Sequence, residues 1–416
     1  MPRGLAARVY AISALTDAIP IYPVYPVLFA DHGLSTAQIS ALFVLWSATG
    51  VLLNIPAGAL ADRVSRRLLL SIGALLRAVG YALWTAVPSF AAFAAGFVLW
   101  GAGSSLQSGT FEALVYDELD SVGATDGYGR LTGRSGTISL VVSAAASALA
   151  IPLLGVGGFQ LVGWISAAVC VAESVVSLSM PARPRAADAG SEGGIRGYAR
   201  TLHAGIAEAA THPLVRGPLL LAALLPALTA IDEYVPLLGH DYHVPTSVVP
   251  VFLLAITVTA AIGNWCAGRW WSLSAGRMAL TLAAGAVMLA VTGLTAHPAG
   301  FTGVALAFGV LQFAIVGSQV RLQHTIAGPA RATVTSVADV GADVGAIAVF
   351  GASALVAQWL PVTGLLAAYA VPLLLLAIVT PRWLRTGSVR GGSGSDRDKV
   401  AVDGQEHAGT SASVDA

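Results

Sequence analysis

The sequence has few charges, a single lysine and little cysteine. Charged residues make up 11% of its 416 positions, whereas a soluble domain carries about 25%. Its 22 basic residues balance 22 acidic ones, so the chain lacks the excess of positive charge that would indicate nucleic-acid binding. The two cysteines, Cys170 and Cys266, show neither metal-ligand spacing nor a disulfide framework. These shortages argue against a soluble domain, a nucleic-acid-binding protein and a metal site.

Long apolar runs account for most of the chain, which is 56% hydrophobic. A bilayer core about 30 Å thick takes roughly 20 apolar residues per helical crossing, and backbone groups in lipid must bond within the helix. The sequence contains twelve such runs, at about 9–30, 36–60, 68–87, 90–116, 132–153, 159–180, 214–238, 246–268, 276–296, 299–322, 332–357 and 362–380. It therefore predicts an all-α integral membrane protein with twelve transmembrane helices.

Basic residues fall on one side of the predicted membrane. If the N-terminus is inside, only Arg77 of the 22 lies within a helix, and the others lie in the tails, in inner loops or at inner helix ends. The positive-inside rule then places both termini in the cytoplasm. Arginine is used almost to the exclusion of lysine, which occurs only at Lys399. That usage indicates a GC-rich bacterial genome, and so a bacterial plasma membrane.

The two halves of the chain resemble each other at an offset of 210 residues, the separation of Asn54 and Asn264. The segment "NIPAG" at 54–58 falls on "NWCAG" at 264–268, and the pattern P-x-L-x-x-D occurs at both 26–31 and 236–241. Such repeats underlie many transporter folds, whose substrate site lies between the repeats near the midplane. We therefore expect two pseudo-symmetric six-helix bundles.

Two polar segments set the expected domain limits. Residues 181–213 are rich in Pro, Ala and Gly, which is typical of a flexible connector, and residues 386–416 are polar and predicted to be disordered. The bundles are therefore expected at 1–180 and 214–385, with the connector and the tail in the cytoplasm.

The segment "GALADRVSRR" at 58–67 resembles the signature loop between the second and third helices of the major facilitator superfamily. It departs from the pattern G-x-L-x-D-R-x-G-R-R at Ser65, where glycine is usual. Its matching residues are Gly58, Leu60, Asp62, Arg63, Arg66 and Arg67. The resemblance implies a transporter with two states, in which Gly58, Asp62 and the arginines latch the halves on the inner side. Alternatively, the arginines only anchor the topology. Gly58 is also expected to allow a close helix contact.

A second segment, "GAGSSLQSGTFEALVYDEL" at 101–119, resembles the fourth helix of many members of this superfamily. Its Asp117 and Glu118 leave the predicted membrane near Arg130 and Arg134, which begin the fifth helix. We expect these four residues to form an inner charge network that joins the gating cluster. The alternative is a set of solvated ion pairs, which would add little stability.

Charges inside transmembrane helices are costly and usually functional. Asp17, Arg77 and Glu112 lie in the first half and are spread over roughly 8 Å of depth at 1.5 Å rise per residue. They could therefore form a triad. A partly desolvated carboxylate binds a proton more readily than one in water, so this triad is a candidate for proton coupling or substrate contact. A permanently paired structural triad is the alternative.

A second pair of intramembrane carboxylates, Asp339 and Asp343, lies on the eleventh predicted helix. A spacing of four places them on one face, where like charges repel unless a proton or a cation intervenes. They are candidates for protons or cationic substrate, unless Asp339 caps a kink or pairs with Arg331. Asp232 and Glu233 are expected near the outer end of the seventh helix, either in a vestibule or as plain surface polarity.

Prolines interrupt the first and seventh predicted helices, at Pro20, Pro23, Pro26, Pro226 and Pro236. Interruptions in corresponding helices of two repeats point to the binding cavity. The residues predicted to line the cavity are Tyr22, Tyr25, Tyr234, Gln312 and Gln319. Tyrosine faces suit aromatic or cationic compounds, although tyrosines also serve as ordinary interface anchors.

The direction of transport has one weak sequence signal. Exporters of this superfamily often carry a G-P-x-x-G-G-like motif on the fifth helix, and "IPLLGVGG" at 151–158 matches it in part. The resemblance thus favours a drug/proton antiporter, with efflux of small amphipathic or drug-like molecules by proton-coupled alternating access. An uptake symporter for a small metabolite and a non-transport membrane sensor remain alternatives.

Sequence motifs for catalysis are missing. No zinc-protease, serine-hydrolase or phosphate-loop motif occurs. We expect no enzyme activity, no cofactor and no direct use of ATP. The expected partners are a small-molecule substrate, protons and the lipid bilayer, with the protein as a monomer.

Overall fold

The structure is a computed structural model that describes residues 3–61, 64–181, 213–270, 274–295, 297–326 and 331–384. Asp62 and Arg63 of the predicted gating cluster lie outside these ranges. So do residues 182–212 and 385–416, which hold most of the predicted connector and tail.

The regular structure in the described ranges is helical. The helices are α1 (Arg3–Asp17), α2 (Tyr25–Asp31), α3 (Thr36–Ala61), α4 (Arg66–Ala86), α5 (Phe90–Gln107), α6 (Thr110–Asp120), α7 (Tyr128–Leu178), α8 (Pro213–Ala227), α9 (Val235–Asp241), α10 (Val249–Trp270), α11 (Ala275–Thr295), α12 (Gly300–Thr325), α13 (Arg331–Val356) and α14 (Val362–Trp383). Ten stretches of these ranges are long and apolar enough to cross a membrane. This architecture confirms the predicted all-α membrane fold.

Ten spans replace twelve predicted runs for two local reasons. The first run is divided into α1 and the short α2, because Pro20 and Pro23 lack the amide hydrogens that a continuous helix needs. The fifth and sixth runs lie in the 51-residue α7, whose two arms meet at Gly158. Gly158 has φ 58° and ψ −157°, a backbone conformation that only glycine adopts readily. A count of twelve crossings therefore requires that α7 crosses twice and that α1 and α2 together cross once.

The two halves repeat the same pattern of breaks. Adding 210 to the bounds of α1 gives 213–227, the bounds of α8, and adding 210 to those of α2 gives the bounds of α9. In both halves, the short second helix has a proline in its first turn, Pro26 in one and Pro236 in the other. The repeat seen in the sequence thus recurs as a repeat of broken first helices.

The helix bundle has two ends and two halves. We call the end at which α1 begins and α14 ends the terminal end, and the end at which α2 and α9 end the far end. Residues 3–181 form the first half and residues 213–384 the second half. α3 packs against α13, and α7 packs against α10, so each of these pairs joins one half to the other.

Glycine permits close helix crossings at some positions but has no such role at Gly58. A Cβ on Gly73 would lie 2.7 Å from the Gly103 carbonyl oxygen, so α4 and α5 cross in near contact. By contrast, a Cβ on Gly58 would meet nothing within 4 Å. The predicted close approach at Gly58 is therefore wrong for the described residues, none of which lies against α3 at this position.

Candidate functional site

A cavity with two lobes lies between the halves. The larger lobe has a volume of about 450 Å³ and lies between α3 and α5 on one side and α13 and the α8–α9 connection on the other. The smaller lobe, of about 270 Å³, lies on the side of α7 and α10. Trp46, Asp232 and Glu233 line both lobes and so stand between them. A central cavity with walls from both repeats is the expected place for a substrate.

The cavity is acidic. Asp232 and Glu233 come from the 3₁₀ turn Leu228–Tyr234 that joins α8 to α9, and Asp343 comes from α13 on the wall of the larger lobe. None of the described residues that line the two lobes is basic. Because unpaired carboxylates are costly in a low-dielectric site, they favour protons or a cationic guest as partners.

Aromatic rings form the opposite wall of the smaller lobe. Tyr22 and Trp100 stack with ring centres 5.2 Å apart and planes 6° from parallel. Trp46 lies against Trp100 at 4.9 Å, and Tyr25 meets Trp100 edge-on at 5.8 Å. Aromatic faces attract cations through their quadrupole. The lobe therefore combines carboxylates and π-faces, the two kinds of group that suit an organic cation.

The halves meet at the far end of the cavity. The Tyr25 hydroxyl donates a hydrogen bond to the Glu233 carboxylate, and the Tyr234 hydroxyl donates to Ser40 Oγ at 2.8 Å. Nearer the surface, His240 Nε2 lies 3.3 Å from Asp31 Oδ1. These contacts cross from one half to the other, so they close the cavity towards the far end.

The predicted cavity-lining residues divide into two groups. Tyr22 and Tyr25 line the smaller lobe. Tyr234 is fully buried beside Ser40 and belongs to the closure instead. Gln312 is half-buried, Gln319 is exposed, and neither lines the two lobes. The prediction was wrong for these two glutamines, because depth along α12 does not tell which face of a helix meets the cavity.

Arg77 pairs with a residue other than those predicted. Its Nη2 forms an ion pair with Glu173 on the second arm of α7, and both side chains are buried, at 3% and 1% exposure. Glu173 also accepts hydrogen bonds from Gln107 at 2.8 Å and Thr16 at 3.0 Å. Arg77 Nη1 lies 3.3 Å from the Tyr22 hydroxyl oxygen, to which it donates. The network links the core of the first half to a wall of the smaller lobe.

The predicted triad of Arg77, Asp17 and Glu112 is therefore wrong in its membership. Asp17 is half-buried beside Ser139, and Arg77 acts on it only at longer range. Glu112 is exposed on α6, beyond the break at Gly109, where φ is 68°. That break redirects the chain, so counting residues along one straight helix misplaced Glu112. Glu112 and Glu173 both line a separate cavity of about 610 Å³ inside the first half.

Asp339 and Asp343 lie one turn apart on α13, and the two carboxylates act on each other electrostatically. Only Asp343 lines the larger lobe of the central cavity. The pair thus has one member at the cavity wall and one a turn nearer the terminal end.

The charges at the terminal end pair within the first half. Arg66 forms an ion pair with Asp117, and Arg67 Nη1 donates to the Met180 carbonyl oxygen at 3.3 Å, just beyond the end of α7. Asp117 pairs with Arg66, and the predicted partners Arg130 and Arg134 are exposed. Glu118, the remaining member of the predicted network, is buried.

Three carboxylates, those of Glu173, Asp232 and Glu233, were not placed correctly from the sequence. Glu173 sits on the helix face that meets α4, and only the packing of α7 reveals it. Asp232 and Glu233 were expected at the outer end of a span, but the 3₁₀ turn and α9 continue beyond them. They consequently lie deep between the halves. Proline at Pro226 and Pro236, on either side of this turn, is the sequence signal that could have located them.

Comparisons with known proteins agree with this architecture. The sequence profile of the Major Facilitator Superfamily matches residues 8–348. None of the curated proteins matches this chain.

Solved structures of solute transporters superpose on most of the chain. A point mutant of the nucleoside transporter NupG has a TM-score of 0.73 at 13% identity and covers 92% of this chain and 100% of its own. A D-xylose-proton symporter has a TM-score of 0.63 at 14% identity, with 91% and 97% covered. A bacterial homologue of the human lysosomal transporter Spinster, inward-facing and occupied, has a TM-score of 0.66 at 16% identity, with 91% and 93% covered. At these identities the likeness shows the fold.

Proposed function

Because this chain belongs to the major facilitator superfamily, we propose that it is a proton-coupled exporter of small amphipathic molecules that carry a positive charge. The observation that carries the proposal is the charge of the central cavity. Its walls hold Asp232, Glu233 and Asp343 and, among the described lining residues, no basic group. Tyr22, Trp46 and Trp100 supply the aromatic surface that an amphipathic cation needs.

The proposed orientation places the terminal end in the cytoplasm of a bacterium, with the chain in the plasma membrane. Arg66, Arg67, Arg130 and Arg134 are all at or near that end of the bundle. Positive charge is retained on the cytoplasmic side of membrane proteins. With the far end closed by Tyr25 and Glu233, the cavity in this form receives cargo from the cytoplasmic side.

Export then follows from competition for the same carboxylates. A cation that enters from the cytoplasm occupies the acidic cavity in place of protons. After the halves rock and the far end opens, protons from outside neutralise the carboxylates and release the cation. The gating cluster around Asp62 latches the cytoplasmic side in that outward form. A proton that moves inward along its gradient thereby drives one cation outward.

The test is transport into inverted vesicles, whose cytoplasmic face is outside, under an imposed pH gradient. Tetraphenylphosphonium, a rigid aromatic cation, is the probe. We expect uptake to depend on an acidic lumen and to fall at least tenfold in Asp232→Asn, Glu233→Gln and Asp343→Asn. The control is Asp126→Asn, because Asp126 is exposed in a turn at the terminal end. Proton-independent uptake, or normal uptake by all three cavity variants, would contradict the proposal.

The same vesicles distinguish the exporter from the alternative, a proton-coupled uptake symporter for a small metabolite. A symporter would move its solute together with protons, so its cavity carboxylates would serve to bind protons rather than a cationic cargo. Acceleration of solute exit from the vesicles when protons leave the lumen would favour the symporter over the exporter.

A further inference from the structure

The bond between Tyr25 and Glu233 closes the far end and also occupies the acidic wall of the cavity. Tyr25 belongs to the first half and Glu233 to the second, so this one contact spans the moving interface. Both residues line the smaller lobe. A guest in that lobe therefore meets the carboxylate beside its hydroxyl partner.

Tyr25 is held rigidly by its own half. Its ring is 2% exposed and contacts the rings of several neighbours. These neighbours are Phe29, Phe43, Trp84, Phe97 and Trp100, at centre distances of 5.5 to 6.2 Å. Because the ring is packed on all these sides, the bond breaks when the Glu233 side chain moves or the two halves separate at the far end, and not by rotation of Tyr25.

The smaller lobe is too small for drug-sized cargo while this bond is made. Its volume is about 270 Å³, and sites for small molecules usually measure about 300–1,000 Å³. A larger guest fits only if the walls move apart, and Tyr25 and Glu233 are two of those walls. Glu233 also stands between the two lobes, so a cation in the larger lobe can reach it as well.

We propose that Glu233 exchanges the Tyr25 hydroxyl for the positive centre of an organic cation, so that cargo binding itself releases the closure of the far end. This inference rests on the proposed export function and identifies the Tyr25–Glu233 bond as the contact whose breaking opens the far end. The cation replaces the Tyr25 hydroxyl as the partner of Glu233, so the bond that holds the far end shut is lost when cargo binds. An empty cavity therefore stays closed at the far end, and a loaded cavity opens there. A neutral or anionic guest of equal size would not substitute for the hydroxyl and would leave the far end closed.

The experiment measures closure and affinity in the same purified protein. Both natural cysteines are replaced by alanine, and Ser40→Cys provides a reporter, since Ser40 is fully buried at the far-end interface. Labelling by a membrane-impermeant maleimide then reports opening. Tetraphenylphosphonium is compared with tetraphenylborate, an anion of matched shape. We expect the cation, and not the anion, to accelerate labelling.

Two variants separate the roles of the partners. Tyr25→Phe keeps the ring and removes the hydroxyl, so labelling should be fast without cargo and the cation should bind about tenfold more tightly. Glu233→Gln keeps a hydrogen-bond acceptor and loses the charge, so labelling should stay slow and the cation should bind at least tenfold more weakly. The matched control is Thr380→Val, which removes a fully buried hydroxyl that donates to the Leu376 carbonyl oxygen at 2.6 Å within α14. It should behave like the parent protein.

The outcomes distinguish this switch from the exporter itself. If the cation binds the parent protein but does not change labelling, or if Tyr25→Phe behaves like Thr380→Val, the exchange is wrong while export stands. If the cation does not bind the parent protein at all, the exporter proposal falls with it. Gel filtration of each variant shows that it is folded, so a change in labelling is not a result of unfolding.

Discussion

At the scale of the residue, the ion pair of Arg77 and Glu173 buries two opposite charges in the core of the first half. Both side chains are almost fully buried, and Gln107 and Thr16 satisfy the second carboxylate oxygen. Desolvation of two charges largely offsets their attraction, so the pair adds little net stability, but loss of one partner leaves a buried charge alone. The pair thus constrains the core of the first half without itself needing to move.

The first prediction concerns this pair. Glu173→Gln should lower the free energy of unfolding by about 3–5 kcal/mol, because Arg77 is left unpaired, whereas Arg77→Met combined with Glu173→Leu should recover most of the loss. Thermal unfolding in detergent, followed by tryptophan fluorescence, measures both. The control is Asp117→Asn, which breaks the ion pair between Arg66 and the half-exposed Asp117 and should cost less than about 1 kcal/mol. Equal losses for the two single variants would contradict this account.

At the scale of the element, broken and closely crossing helices position the site. The α1–α2 and α8–α9 breaks place Tyr25 and Glu233 face to face at the interface. The α4–α5 crossing at Gly73 brings Gln107 next to Glu173. The helix breaks thus position the polar groups of the cavity, and the close crossing positions those of the core.

The second prediction tests this crossing. Gly73→Ala should destabilise the protein by about 1–3 kcal/mol, because its Cβ would lie 2.7 Å from the Gly103 carbonyl oxygen and 2.8 Å from Gln107 Cγ. Gly155→Ala is the matched control, since a Cβ there would meet nothing within 4 Å. It should leave the melting temperature unchanged or raise it slightly. A melting temperature for Gly73→Ala equal to that of the control would show that the helices do not cross so closely.

The third prediction decides whether α7 crosses the membrane twice. Val156 lies beside the bend at Gly158 and is 84% exposed. If the two arms are separate crossings, Val156→Cys lies at the far surface and reacts with an impermeant maleimide added from that side. Both natural cysteines are replaced in this experiment. Protection from reagent on both sides would place the bend within lipid and contradict a count of twelve crossings.

Much of the fold could be predicted from the sequence because its strongest determinant is local. Apolar runs of about 20 residues, separated by charge, are visible without knowledge of packing. The position of the first helix break was likewise signalled by Pro20 and Pro23. The break at Gly109 and the continuity of α7 across Gly158 were not, since a single glycine in an apolar run is common in membrane helices.

The site was harder to predict because it depends on helix rotation and on packing between distant segments. Asp343 and the tyrosines Tyr22 and Tyr25 were found from depth and from proline position. Glu112 was predicted near Arg77, whereas Glu173 is the partner of Arg77. Depth along a helix is read from the sequence, but the direction in which a side chain points around the bundle is set by its neighbours.

At the scale of the whole molecule, the proposal requires the two halves to exchange one closed end for the other. Far-end contacts between Tyr25 and Glu233 and between Tyr234 and Ser40 are made in this form. At the terminal end, a Cβ on Gly58 or Gly268 would meet nothing within 4 Å. These two glycines are equivalent positions of the repeat, 210 residues apart. Rocking should close this space as the far end opens.

Pulsed electron spin resonance on two pairs of spin labels tests this exchange most directly. One pair, at Gly58 and Gly268, reports the terminal end, and the other, at Gln38 and Val248, reports the far end; all four residues are exposed. Addition of tetraphenylphosphonium to the purified protein in lipid should shorten the first distance and lengthen the second. Distances that stay fixed, or that lengthen together at both ends, would contradict alternating access in this protein.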